Sequence, residues 1–147
     1  MAISSAICNS FKQEILVGTH NFTVLASGGN AFKLALYTSS ASMGAGTTAY
    51  STSNEISNTS GSAYTAGGKS IVSVTPVLDG STAVCDFADI SFTSASFTAN
   101  GCLIYNDTQS DKAVCVVAFG SDKTVSSGTF TIQFPAADAS NAIVRIA

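Results

Sequence analysis

The side chains of this sequence that could carry chemistry are few and poorly matched to one another. His20 is the sole imidazole, and Cys8, Cys85, Cys102 and Cys115 stand 77, 17 and 13 positions apart with no C-x2-C pair. Zinc sites draw on clustered Cys and His, so this spacing does not support one. Cys85 lies in Ala83-Val84-Cys85-Asp86-Phe87 and Cys115 in Ala113-Val114-Cys115-Val116-Val117. In apolar runs like these a free thiol behaves as a small hydrophobe. Free cysteines are expected, and none has the cationic neighbourhood that makes a nucleophile. Asp86 and Asp89, three apart on a strand, point to opposite faces and do not form a catalytic pair. Asp107 and Asp111 bracket a polar hairpin loop that lacks the regular oxygen spacing and the Gly of a calcium loop. There is no G-x-S-x-G elbow. His20, just past the end of a predicted helix, is expected at the surface near that helix's negative pole. Ala63-Tyr64-Thr65-Ala66-Gly67-Gly68-Lys69-Ser70 fits the relaxed phosphate-loop pattern with Ala for the first Gly. A β-branched run ending in Pro76 follows it, where a phosphate loop needs a helix aiming its amides at the ligand. Gly67-Gly68 therefore reads as a turn. The expectation is a chain that is not an enzyme and uses no metal or cofactor.

The elements that would hold these residues are mostly strands. Ile3, Ile7, Phe11 and Ile15 recur every four residues, with Cys8 and Leu16 beside them, which predicts one helix over Ser4 to Val17. Ser4 or Ser5 would cap its start, and Gly18 would close its end in a left-handed conformation. After Gly28-Gly29-Asn30 the period becomes two, and Phe32, Leu34 and Leu36 alternate as in a half-buried strand. Residues 38–68 contain 24 Ser, Thr, Ala or Gly among 31 positions. A stretch of that length is expected to be a functional excursion or to hold short edge strands around Ala49–Ile56. Tyr37, Tyr50 and Tyr64 punctuate it. Such spacing suits either a binding surface or caps on the core. Asp79-Gly80 between apolar runs predicts a hairpin, and Asn100-Gly101 a second one. Pro76 assigns its strand to an edge or a bulge. Lys112 to Phe119 suits a central strand, Gly128 to Phe134 alternates, and a last strand ends at Ala147. Seven to nine short strands and one N-terminal helix predict an all-β fold, an antiparallel β-sandwich or jelly roll. Residues 1–27 form the helix and connecting arm, and 28–147 the sandwich, within one structural domain.

Only 10% of the residues are charged, with six bases against nine acids, while Ser and Thr fill 39 positions. No basic stripe is present to neutralise a phosphate backbone, so nucleic acid is not an expected partner. No apolar stretch approaches the roughly 18 to 20 residues that span a bilayer, and Met1-Ala2-Ile3-Ser4-Ser5 lacks a signal peptide's basic start. Cytoplasmic synthesis, without membrane association, is the expectation. A surface so short of charge is expected to be covered in part by other subunits, because interface cores are depleted in charge.

Several segments carry a likeness to a known group. They are Cys8-Asn9-Ser10-Phe11-Lys12-Gln13-Glu14 with Gly18, His20 and Phe22, then Phe32-Lys33-Leu34-Ala35-Leu36-Tyr37-Thr38 and Tyr64-Thr65-Ala66-Gly67-Gly68. Asp86-Phe87-Ala88-Asp89, Leu103-Ile104-Tyr105-Asn106 and Phe130-Thr131-Ile132-Gln133-Phe134-Pro135-Ala136-Ala137-Asp138 extend it over nearly the whole chain. In these the sequence resembles small virion proteins of tailed bacteriophages. The resemblance implies a structural place in the particle, foremost a head decoration or cement protein on the outer capsid. It would bridge neighbouring major capsid proteins as a dimer or trimer of itself. The alternative is a tail or fibre adhesin that recognises host-surface glycan. On this reading the contact residues are Ile3, Ile7 and Phe11 of the helix and Met43, Tyr50, Ile56 and Tyr64 of the 38–68 stretch.

Overall fold

The computed structural model describes residues 2–57 and 64–147, so the part of the 38–68 stretch at 58–63 lies outside the described residues. In chain order the elements are β1 (Ala6–Ile7), α1 (Asn9–Leu16), a 3-10 turn (Leu25–Ser27), β2 (Phe32–Tyr37) and β3 (Lys69–Ile71). They continue with β4 (Ser73–Asp79), β5 (Thr82–Phe87), β6 (Ile90–Asn106), β7 (Lys112–Ile132) and β8 (Val144–Ile146). The strands form two antiparallel sheets, a five-stranded one in the order β1-β7-β6-β2-β3 and a three-stranded one in the order β4-β5-β8. The fold is the all-β sandwich with one N-terminal helix that the periodicities predict.

β2 lies between β6 and β3 and is buried on both faces, not half-buried as its alternation predicts: Ala35 and Tyr37 are covered as fully as Leu34 and Leu36. Burying each large apolar side chain here stabilises the fold by about 1.5–3 kcal/mol. An aromatic seam joins the layers. Phe22 stacks on Phe32 at 4.6 Å between ring centroids, and Phe87 of β5 lies 5.7 Å from Phe32. Phe11 of α1 meets Phe22 edge-on at 5.8 Å, so the N-terminal arm packs into the same core as the sandwich.

The Asp79-Gly80 hairpin joins β4 to β5, with Gly80 at φ 61°. β4 lies at the edge of its sheet, and its register shifts between Val74 and Val77, around Pro76. β8 ties the C-terminal residues to β5 through Cys85–Val144, Val84–Arg145 and Ala83–Ile146.

Four further expectations are corrected. The helix begins at Asn9, with Cys8 as its N-cap and no side-chain cap. Residues before it are extended: Ala6 and Ile7 pair with Val116 and Cys115, and the Ser5 hydroxyl accepts the Ala118 amide at 2.9 Å. A separation of four residues returns to the same face on a strand as well as on a helix, so Ile3 and Ile7 fit both. Asn100-Gly101 is not a turn. β6 runs through it, because Gly101 is where backbone and arm come closest; a Cβ there would stand 2.7 Å from the Val117 carbonyl and 2.8 Å from Ile3 Cγ2. The reversal occurs instead at residues 107–111, where Ser110 and Asp111 adopt φ 55° and 58°. Lys112 to Phe119 and Gly128 to Phe134 are not separate strands, since β7 is continuous from Lys112 to Ile132. His20 is buried, not at the surface.

Candidate binding cleft

The 38–68 stretch leaves the end of β2 and is fastened at three places before it returns. Met43 is bonded to the N-terminal arm, its amide donating to the Ala2 carbonyl at 3.1 Å and its carbonyl accepting from Ser4 at 2.9 Å. Farther on, the Ala113 amide donates to Thr48 and the Tyr50 amide to Asp111, at 3.0 and 2.9 Å, which lays 48–50 along the start of β7. The chain then comes back to β2, where Thr38 donates to Asn54 at 3.0 Å and Ile56 to Leu36 at 2.9 Å. Around Ala49–Ile56 single bridges, Ala49–Lys112 and Tyr37–Glu55, stand where short edge strands are expected.

These fastenings enclose a cleft of about 470 Å3. Its walls carry the hydroxyls of Thr47, Thr48, Ser51 and Ser53, the Asn54 amide and the Met43 thioether. Tyr37 closes it from the core side, donating its hydroxyl to the Ser51 carbonyl at 2.7 Å. None of the twelve lining residues is ionisable apart from that buried phenol. Gly44 and Gly46 belong to the wall, and a side chain at Gly46 would meet open space. Beside Asn54, held at φ 61°, the next residue anchors the whole loop. The Glu55 carboxylate accepts the Tyr50 hydroxyl at 2.6 Å, the Tyr64 hydroxyl at 2.5 Å and the Gly67 amide at 2.8 Å. Tyr105 stacks on Tyr50 at 4.8 Å and donates to the Gly67 carbonyl, and the Leu36 amide donates to the Tyr64 hydroxyl. Burial, with the adjacent Glu55 charge, pushes the Tyr50 and Tyr64 phenols up. They donate protons here and do not release them.

A second polar cluster ties the arm to the β6–β7 turn. Asn106 Oδ1 accepts the amides of Thr108 and Gln109, so its Nδ2 donates to His20 Nδ1 at 3.0 Å and to Asn30 Oδ1 at 2.8 Å. His20 Nδ1 is therefore the acceptor, and Nε2 donates to Glu14 at 2.7 Å. Lys112 reaches the other Glu14 oxygen at 3.0 Å. Burial opposes the Glu14 charge, but the hydrogen bonds from His20 and Lys112 prevail and hold it below the ordinary carboxylate value.

The predicted contact residues fall into two groups. Ile3, Phe11, Ile56 and Tyr64 are buried inside the chain's own core, Tyr64 with 0% of its surface exposed, and so are corrected: they offer no outer surface to another subunit. Ile7 is half-buried beside Cys115, while half-buried Tyr50 belongs to the Glu55 cluster and Met43 to the cleft. The apolar residues that do face outward are others. Leu16, Val17 and Leu25 do so on the arm, and Val72, Val74, Val77 and Leu78 do so on and beside β4, Leu78 with 73% of its surface exposed. The adjacent pair Val77-Leu78 carries a readable signal, since neighbours on a strand cannot both face the core. All four cysteines are free and buried. Burial raises Cys8 to about 11 and Cys85 and Cys102 to about 12. Asp86 is buried, while Asp89 accepts the Phe134 amide. No group of three or more metal-ligating side chains occurs among the described residues. The same residues contain no helix long and apolar enough to cross a membrane. Compared with protein-family models, curated proteins and solved structures, the chain matches none.

Proposed function

We propose that this chain is a structural protein of a tailed-phage particle, a head decoration protein that binds the outer capsid and bridges neighbouring major capsid proteins. The observation that carries the reading is β4, an edge strand bearing exposed Val74, Val77 and Leu78 next to exposed Val72. Pro76 and the register shift interrupt backbone pairing along this edge, so its apolar side chains are what another subunit would cover, where a free monomer would be expected to carry charge. Only Asp79, at the turn, supplies any on β4. The long β6–β7 pair and the two-layer core supply the rigid body behind it. Repetition of a modest contact around a symmetry axis turns weak individual binding into firm attachment to a shell.

Copy number tests this. Staining of purified particles against their major capsid protein should give on the order of hundreds of copies, the number a decorated lattice requires. A count of about three to eighteen would place the chain in an appendage with axial symmetry and overturn the decoration reading.

A further inference from the structure

We propose that the cleft between Met43 and Asn54 is a binding site for a neutral saccharide. The site lies apart from β4 and does not depend on how that strand is covered. Its volume of about 470 Å3 falls within the range of small-ligand sites, about 300–1,000 Å3. The chemistry of the wall selects the ligand class. Thr48, Ser53 and Asn54 offer exposed groups that both donate and accept, which suits vicinal hydroxyls. No lysine, arginine or histidine lines the cleft to take a phosphate or carboxylate, and no carboxylate lines it to take an amine. Half-buried Met43 and exposed Ala49 supply apolar contact for the C–H face of a sugar ring.

The site is also preorganised. The Thr47 hydroxyl accepts the Gly44 amide at 3.1 Å and the Ser51 hydroxyl accepts the Ser53 amide at 3.2 Å, bonds that leave each hydroxyl its own proton to donate. The Asn54 carbonyl is held by Thr38, and the Glu55 cluster locks the following residue. A loop fixed in this way loses little freedom on binding, the condition under which a small polar ligand gains useful affinity.

The test is an amide NMR titration of the full chain with N-acetylglucosamine, its β-1,4-linked trisaccharide and maltotriose, with N-acetylneuraminic acid and inorganic phosphate as charged probes. At least one neutral sugar should give saturable shifts confined to 43–54, with a dissociation constant near 1 mM, an affinity of about 4 kcal/mol. Gly46→Leu, whose side chain fills open space, should weaken that binding at least about tenfold with the melting temperature unchanged. Thr48→Val, at an exposed position, provides the same reading if Gly46→Leu perturbs the fold. The proposal is overturned by an absence of saturable shifts with all three neutral sugars up to about 20 mM. It is equally overturned by shifts outside the cleft, by binding that both variants retain, or by tighter binding of either charged probe. None of these outcomes bears on copy number in a particle.

Discussion

A carboxylate that accepts two phenolic hydroxyls and a backbone amide, as Glu55 does, fixes three chain segments at once: its own, Tyr50's and the Tyr64–Gly67 turn. Hydrogen bonds to a charged acceptor are about twice as strong as neutral ones. Glu55→Gln removes the charge and turns one acceptor into a donor facing a phenol, and should cost about 2 kcal/mol in urea unfolding. Nothing in Asn54-Glu55-Ile56 announces this. A lone acid in a Ser/Thr-rich stretch reads as solvated, and its partners lie up to twelve positions away. The same holds for His20, whose burial depends on Asn106, 86 residues distant. Two other acids act on pH stability in opposite senses. Burial pushes the Asp86 carboxyl above its usual value, although the backbone amides of Phe87 and Ile143 pull the other way. The folded state therefore prefers Asp86 protonated. Stability from this residue is full below the unfolded value and falls as pH rises from there through the raised folded value. Glu14 is held low, so its contribution is present above the unfolded value and fades as pH drops through the folded one. Asp86→Asn should raise the urea midpoint near pH 7, with the gain vanishing toward about pH 3. Glu14→Gln should lower the midpoint near neutrality by an amount that shrinks over the same descent.

Among the turns, Gly68 and Gly80 both require positive φ, at 78° and 61°, but only one of them is crowded. A Cβ on Gly68 would stand 2.0 Å from the Leu34 carbonyl oxygen, against the backbone of β2, whereas one on Gly80 meets nothing within 4 Å. Gly80→Ala should cost about 1 kcal/mol, the strain of a left-handed alanine. Gly68→Ala should cost more than about 4 kcal/mol, because β2 and the 64–68 turn would have to separate. Thermal unfolding of the two variants side by side checks the difference. The Gly67-Gly68 turn, the Asp79-Gly80 hairpin, β2 and the terminal strand were all legible, since each is set by residues close in sequence. What escaped was determined by neighbours far along the chain. Asn100-Gly101 carries turn chemistry, yet it lies within β6 because β2 and β7 pair on either side of it and Ile3 crosses its face. Ala6-Ile7 became a strand because β7 presented an edge for it to join. The cleft was foreshadowed only as a stretch of small residues; its closure depends on the arm and on β7.

For the molecule as a whole, exposed apolar edges should govern association. Val77→Lys with Leu78→Lys places charge on the open strand, a common means of keeping sheet edges apart. On the decoration reading proposed above, the double variant should reduce self-association in size exclusion with light scattering and should fail to join particles. Its melting temperature should stay within about 2 °C, since both side chains are already in solvent. The sheet order also bears on how the polypeptide is made. β1 finds its partner only at Val116 and Cys115, and β5 is flanked by β8 only once Val144–Ile146 has been added. Ribosomes add about 5–20 residues per second, so β1 waits several seconds for its strand partner, while the bonds of its flanks to Met43 and Ala45 are available much sooner. A chain cut before Ala142 would leave β5 uncovered on one side, a flank open to proteases and chaperones.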